Sequence, residues 1–136
     1  MNIGVVGYSG GKFDEDIAKA LLAIALDVVE ENHDAKEYTL VSGYSDMGIP
    51  ALAYRMAEKR GWKTMGIACK QAFDNPLYDV DDFIIEGDEW GDESEKFLKN
   101  IDLLIRVGGG KQSLEETERA KNKNLPVYEF DLPEKK

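Results

Sequence analysis

The sequence predicts an α/β protein built in three layers, an open parallel sheet with helices on both faces. Three observations carry that expectation. Short apolar runs alternate with longer stretches of helical period along the 136 residues, which is the pattern of parallel strands joined by helical crossovers. Glycine-rich turns close three of those runs, at 7–11, 43–48 and 108–110. No repeat, linker or low-complexity segment interrupts the alternation, so residues 1–136 are expected to form one domain.

Each element has its own signature. Residues 2–7, NIGVVG, read as a buried strand, and GYSGGKF as the turn after it. A helix follows from Asp14, its capping residue, to about Asn32, with Ile17, Leu21, Ala25 and Val28 at helical spacing. Residues 38–42 form the second strand, and a second helix runs to Arg60 with Leu52 and Met56 inward, Pro50 in its first turn and Gly61 at its end. Residues 63–68 form the third strand. Residues 69–81 lack a period and contain Asn75-Pro76, so they read as a loop. The fourth strand is 82–86, followed by a short helix to about Asn100, a fifth strand at 102–107, a helix from Ser113 to about Asn124 and a sixth strand at 126–130. The tail after Phe130 is expected to fray. The expected strand order is 3-2-1-4-5-6.

Composition narrows the function. The formal net charge of −10 disfavours nonspecific binding to nucleic acid or anionic membranes. No apolar stretch approaches the roughly 20 residues of a membrane span, and the N-terminus has no leader pattern. The single cysteine, Cys69, excludes an internal disulfide framework and fits a reducing cytoplasm. With His33 as the only histidine, a zinc site is not expected. His33 reads as a helix-end residue and Cys69 as a small packing residue.

Ligands of open α/β sheets sit outside the carboxyl ends of the strands, where the three glycine turns fall. The named phosphate loops do not match. In VGYSGGKF, Val6 stands where a P-loop needs its first glycine and Phe13 where it needs a hydroxyl. The dinucleotide spacing G-x-G-x-x-G is also absent from the first turn. IIEGDEWGDE weakly resembles the glutamate motif of Toprim domains, but no Asp-x-Asp pair follows Glu86.

The succession strand–GYSGG–helix, strand–SGYSDMGIPALAYRMAEKRG–helix and strand–VGGGKQSLEETERAK–helix resembles the SLOG superfamily over nearly the whole chain. That Rossmann-like group includes the Lonely Guy (LOG) proteins, the lysine decarboxylase-like proteins and the molybdenum-cofactor carriers. SGYSDMGIP stands for the group's GGGxxGLM, and VGGGKQSLEE for PGGxGTxxE, with Val107 in place of the proline. The resemblance implies a nucleotide or another phosphorylated small molecule as ligand, with the molybdenum cofactor as a further candidate. The phosphate would lie on Gly108, Gly109, Gly110, Lys111, Gln112 and Ser113. Gly43, Tyr44, Ser45 and Gly48 would contact the other side, and Tyr8, Ser9, Gly10 and Gly11 would floor the pocket. Bare backbone and a helix N-terminus suit an anion. The resemblance also implies homo-oligomers built through helices, for which Met47, Tyr54 and Met56 are candidates.

LOG enzymes hydrolyse the N-glycosidic bond of nucleoside 5′-monophosphates with the motif's last glutamate, here Glu116, and an arginine after the fourth strand. No arginine stands between Cys69 and Ile105. Glu116 therefore has two readings, a catalytic carboxylate or the partner of Ser113 in a capping box. Arg106 either faces the ligand or pairs with a carboxylate, and Lys111 either meets phosphate or is solvated. Trp90 stacks on a base, covers the pocket or serves a subunit contact. The acids Glu86, Asp88, Glu89, Asp92, Glu93 and Glu95 read as a solvated face ahead of a cation site. The leading expectation is a binding protein. Next come a LOG-like phosphoribohydrolase, a cofactor carrier and a non-catalytic oligomerising module.

Overall fold

The computed structural model describes residues 1–10 and 12–135. Gly11, expected at the pocket floor, lies outside the described residues. The strands are β1 (Asn2–Gly7), β2 (Thr39–Ser42), β3 (Lys63–Ala68), β4 (Asp82–Ile85), β5 (Leu103–Val107) and β6 (Val127–Phe130). The helices are α1 (Glu15–Asn32), α2 (Gly48–Lys59), α3 (Ser94–Lys99) and α4 (Lys111–Asn122), with a 3-10 turn at Lys70–Asp74 inside the expected loop.

Side-chain alternation along the strands decides which helix covers which face. Ile3, Val5, Leu40, Leu103 and Ile105 pack with Leu22, Leu26 and Val29 of α1 and Ile49 and Ala53 of α2. Val6, Val41 and Leu104 point the other way, to Phe97 and Leu98 of α3 and Ala120 of α4. Each fully buried aliphatic side chain contributes roughly 1.5–3 kcal/mol, so both helix layers are held by the sheet. Asp14 caps α1 as expected, its carboxylate accepting from the Ile17 N–H at 3.1 Å.

All six strands are parallel, in the order β4-β3-β2-β1-β5-β6. The expected order 3-2-1-4-5-6 is corrected, because β4 lies outside β3 with Gly66 opposite Phe83. A local latch holds it there. Asp81 Oδ2 accepts from the Thr64 N–H at 2.9 Å, and Thr64 Oγ1 accepts from the Asp81 N–H at 2.9 Å. The chain then crosses back over the sheet to place β5 beside β1. The carboxyl ends of β1 and β5 flank the point where strand order reverses, and a crevice opens at such a point.

Two further expectations are corrected. The tail does not fray: Leu132 is buried, Tyr8 Oη donates to its carbonyl at 2.9 Å, and the Lys135 N–H donates to Lys12 O at 2.7 Å. Tyr54 is unavailable to a second subunit. It is fully buried, and its hydroxyl donates to Gly43 O at 2.6 Å and Met65 O at 3.0 Å. No helix among the described residues is long and apolar enough to cross a membrane.

Candidate functional site

A cleft opens at the switch point. Its floor is the carboxyl ends of the central strands, contributed by Val5–Gly7, Ser42 with Gly43, and Ile67 with Ala68. Its walls are Tyr44 and Ser45 after β2, Trp90 and Glu93 before α3, and Gln112, Ser113 and Glu116 on α4. Counting the part that opens to solvent, it holds about 670 Å3 of empty space.

The three glycine turns do different work. A side chain at Gly43 would meet nothing within 4 Å, so the bare backbone there faces the open cleft. Gly48 has φ +62°, and a Cβ would meet Tyr8 O at 2.1 Å. The two turns are locked together at that point, and the Ile49 N–H donates to the same carbonyl at 2.7 Å. Gly108 and Gly109, at φ +60° and +106°, are closed in by Tyr8, Leu132 and Ser113. They shape the turn and do not line the cleft. Gly10, Gly48, Gly110, Lys111 and Tyr8 do not line it either, whereas Ser9, Gly43, Tyr44, Ser45, Gln112 and Ser113 do.

The helix after the glycines starts earlier than its sequence pattern suggested. Gly110 is the N-cap and offers no side-chain bond, so Lys111, Gln112 and Ser113 form the first turn of α4. The capping-box reading of Ser113 and Glu116 is therefore overturned. Ser113 Oγ, inside the helix, donates to Gly7 O at 3.2 Å and ties α4 to β1. Lys111 is exposed and lies 3.9 Å from Glu115. Arg106 is committed to carboxylates and backbone. It is buried and donates to Glu129 at 3.2 Å, to Gly108 O at 2.9 Å and to Asp131 at 2.8 Å.

Glu116 points into the cleft. It is buried, and Ser94 Oγ donates to its Oε2 at 2.9 Å. Its carboxyl is pushed up to about 7, first by burial and then by the nearby charge of Glu93, while Ser94, Gln112 and Arg119 oppose the rise. Glu93 is also buried. It accepts from Gln112 Nε2 at 2.9 Å and from the Gly91 N–H at 3.2 Å. Sequence reasoning had placed Glu93 on a solvated acidic face. Its flanking glycine, which lets the chain fold back, was the available signal. Asp92 does behave as a surface acid, accepting from the N–H groups of Asp88 and Glu89 at 3.0 Å each.

Glu93 and Glu116 are the only charged side chains among the lining residues described, and none is basic. Trp90 is half exposed at the mouth, and its backbone N–H donates to Gln71 Oε1 at 2.9 Å. Tyr44 stacks on Phe83 with ring centroids 4.9 Å apart. No group of three or more metal-ligating side chains occurs among the described residues. Cys69 is buried beneath β3's end, and burial raises its thiol. His33 closes α1, its backbone N–H donating to Val29 O.

No family model matches this chain, and no curated protein matches it. Solved structures do. The molybdenum-cofactor-binding protein from Rippkaea orientalis superposes with a TM-score of 0.74 at 23% identity, over 96% of this chain and 76% of that one. The molybdenum cofactor carrier protein from Chlamydomonas reinhardtii gives 0.72 at 21% identity, over 94% and 74%. The structural-genomics target TM1055 gives 0.72 at 19% identity, over 93% and 71%. The Rossmann-like fold implied by the SLOG resemblance is the fold observed.

Proposed function

We propose that this chain is a small-molecule-binding protein whose ligand joins a flat ring to a phosphate, with the molybdenum cofactor as its sharpest candidate. The observation that carries this reading is the open cleft over Gly43 at the switch point. A pterin phosphate suits its chemistry. Trp90 and Tyr44 offer aromatic surface, and Ser9, Ser42, Ser45 and Gln112 offer hydrogen bonds. The uncapped first turn of α4 leaves backbone N–H groups for the anion. No cysteine or histidine lines the cleft among the described residues, so a cofactor would be held by its organic part and not through its metal. The proteins of like fold whose names refer to this cofactor support the same choice.

The test is native mass spectrometry of freshly purified protein, with phosphate and molybdenum analysis of anything released. A stoichiometric pterin phosphate is the expected result. A protein that stays empty, and also ignores supplied phosphorylated ring compounds at millimolar concentration, would sink the reading.

One observation favours a second reading. A buried glutamate held near neutrality inside a cleft is the usual condition of a general acid, and Glu116 meets it. A LOG-like phosphoribohydrolase would use it on a nucleoside 5′-monophosphate. The cleft's lack of a basic side chain weighs against this. Incubation with AMP, followed by chromatography for free base and ribose 5-phosphate, separates the two. Turnover that is lost in Glu116→Gln would establish the enzyme.

A further inference from the structure

Two buried carboxylates in a cleft proposed to receive a phosphate need a reason. Both shed solvent on folding, and neither has a basic partner within the cleft. Burial without such a partner is costly. They are also held differently. Glu93 is fixed from two sides, by Gln112 Nε2 and by the Gly91 N–H. Glu116 receives one hydrogen bond, at Oε2, from Ser94. The Gln112 amide also acts on this carboxyl, and no fully enclosed side-chain polar atom among the described residues goes unpartnered. Glu116 lines the cleft and is only 6% exposed.

We propose that Glu93 and Glu116 read the hydrogen-bonding edge of a 2-amino-4-oxo ring, the edge shared by pterins and guanine, with the ring seated against Trp90. The proposal rests on the binding reading above and adds the class of ring. A carboxylate that accepts from adjacent ring N–H and amino groups makes the bidentate pairing that such an edge offers. That role falls to Glu93. Glu116, buried beside Glu93 in the cleft, donates to the ring carbonyl in its protonated form, which burial favours. The charged groups acting on Glu116 are Glu93, from the segment before α3, and Arg119, on its own helix. Arg119 is itself bound to Glu95 at 2.7 Å. The strand ends on the cleft floor bring no charge. An adenine ring offers one amino donor beside a ring-nitrogen acceptor and no carbonyl, so Glu93 loses one of its two hydrogen bonds and the discrimination rests on that unpaired oxygen.

The test is titration of the full chain with pterin, GMP and AMP, read by calorimetry and by tryptophan fluorescence. Trp90 is the half-exposed reporter, whereas Trp62 is buried against Glu30. Pterin, GMP or both are expected to bind at least about tenfold more tightly than AMP. Their relative affinity decides between the two sources of the edge. Glu93→Gln is expected to lose that preference with an unchanged thermal transition. Wild-type affinity is expected to fall about tenfold between about pH 6 and about pH 8 as the Glu116 proton is lost. Glu116→Gln, which keeps a donor, is expected to bind independently of pH. Equal binding of AMP, or a preference that survives in Glu93→Gln, overturns the edge assignment and leaves the binding reading in place. A co-purified ligand without that edge does the same. An empty protein that binds no probe overturns both.

Discussion

At the scale of single residues, two glycines of one turn make opposite predictions. At Gly48 a Cβ would strike Tyr8 O, and its φ is +62°. Gly48→Ala is expected to cost about 2–4 kcal/mol, from left-handed strain plus a forced shift of the first turn, measured by urea unfolding. Gly43→Ala is expected to leave stability within about 0.5 kcal/mol, since its Cβ meets no atom. Its methyl enters the cleft, so ligand affinity should fall while the unfolding midpoint holds. Glu116 supplies a pH prediction. Its ordinary value is 4.5 and its folded value about 7, so the folded chain binds the proton more tightly than the unfolded one. The stability this contributes is fully present below about pH 4.5 and is lost as pH rises through about 7, up to about 3 kcal/mol. Glu116→Gln cannot lose that proton. It should match the wild type at low pH and exceed it above neutrality, and pH profiles that run parallel would refute the assignment. Glu116 also marks where sequence reading stops. The pattern S-x-x-E fits a helix start, yet α4 begins two residues before Ser113. One turn of register decides whether a glutamate caps a helix or enters a cleft. The side-chain pattern of a short polar segment does not carry that register, because Gly110 caps by its backbone alone.

At the scale of elements, the strands and helices were legible because each buries an apolar face of definite period. β1, β3 and α1 begin and end within a residue of their expected bounds. The position of β4 was not legible. Alternation of strand and helix says that a crossover exists and is silent on how many strands it passes. The latch between Thr64 and Asp81 decides it, and such a bond leaves no periodic trace. The tail was misjudged for a related reason, since DLPEKK looks polar while, among its described residues, Leu132 alone is buried. Arg106 is the clamp on that region, joining the glycine turn through Gly108 O to Glu129 and Asp131. Arg106→Met leaves the carboxylates of Glu129 and Asp131 in water and strands Gly108 O, so a loss of about 1–2 kcal/mol is expected. Amide exchange should accelerate first in residues 128–133. A uniform acceleration across the sheet would show that the clamp is not local. Tyr54 plays the matching part for the other turn. Tyr54→Phe strands Gly43 O and Met65 O, for an expected loss of about 1–3 kcal/mol.

At the scale of the whole molecule, the net charge of −10 sets the long-range field, and among the described residues no basic side chain lines the cleft to reverse it. A protein that collects phosphates on lysines and arginines binds them less tightly as salt rises, because salt screens an attraction. This chain has the opposite arrangement. On the proposed reading, the attraction it offers an anion is short-ranged, made of backbone N–H groups at the first turn of α4. The repulsion is long-ranged and comes from the whole surface. Added salt with a Debye length near 10 Å removes the second and leaves the first almost intact. Affinity for a phosphorylated ligand should therefore rise roughly two- to fivefold between about 20 mM and about 200 mM salt, mostly through faster association. The same ligand stripped of its phosphate should show no such rise. Calorimetric titration of both forms, with stopped-flow fluorescence for the association rate, separates the two contributions. A phosphorylated ligand that binds more weakly in salt would mean that basic side chains such as Lys12 or Lys111 reach it after all. The anion would then lie outside the cleft, among those exposed side chains, and not on the backbone N–H groups of the first turn of α4.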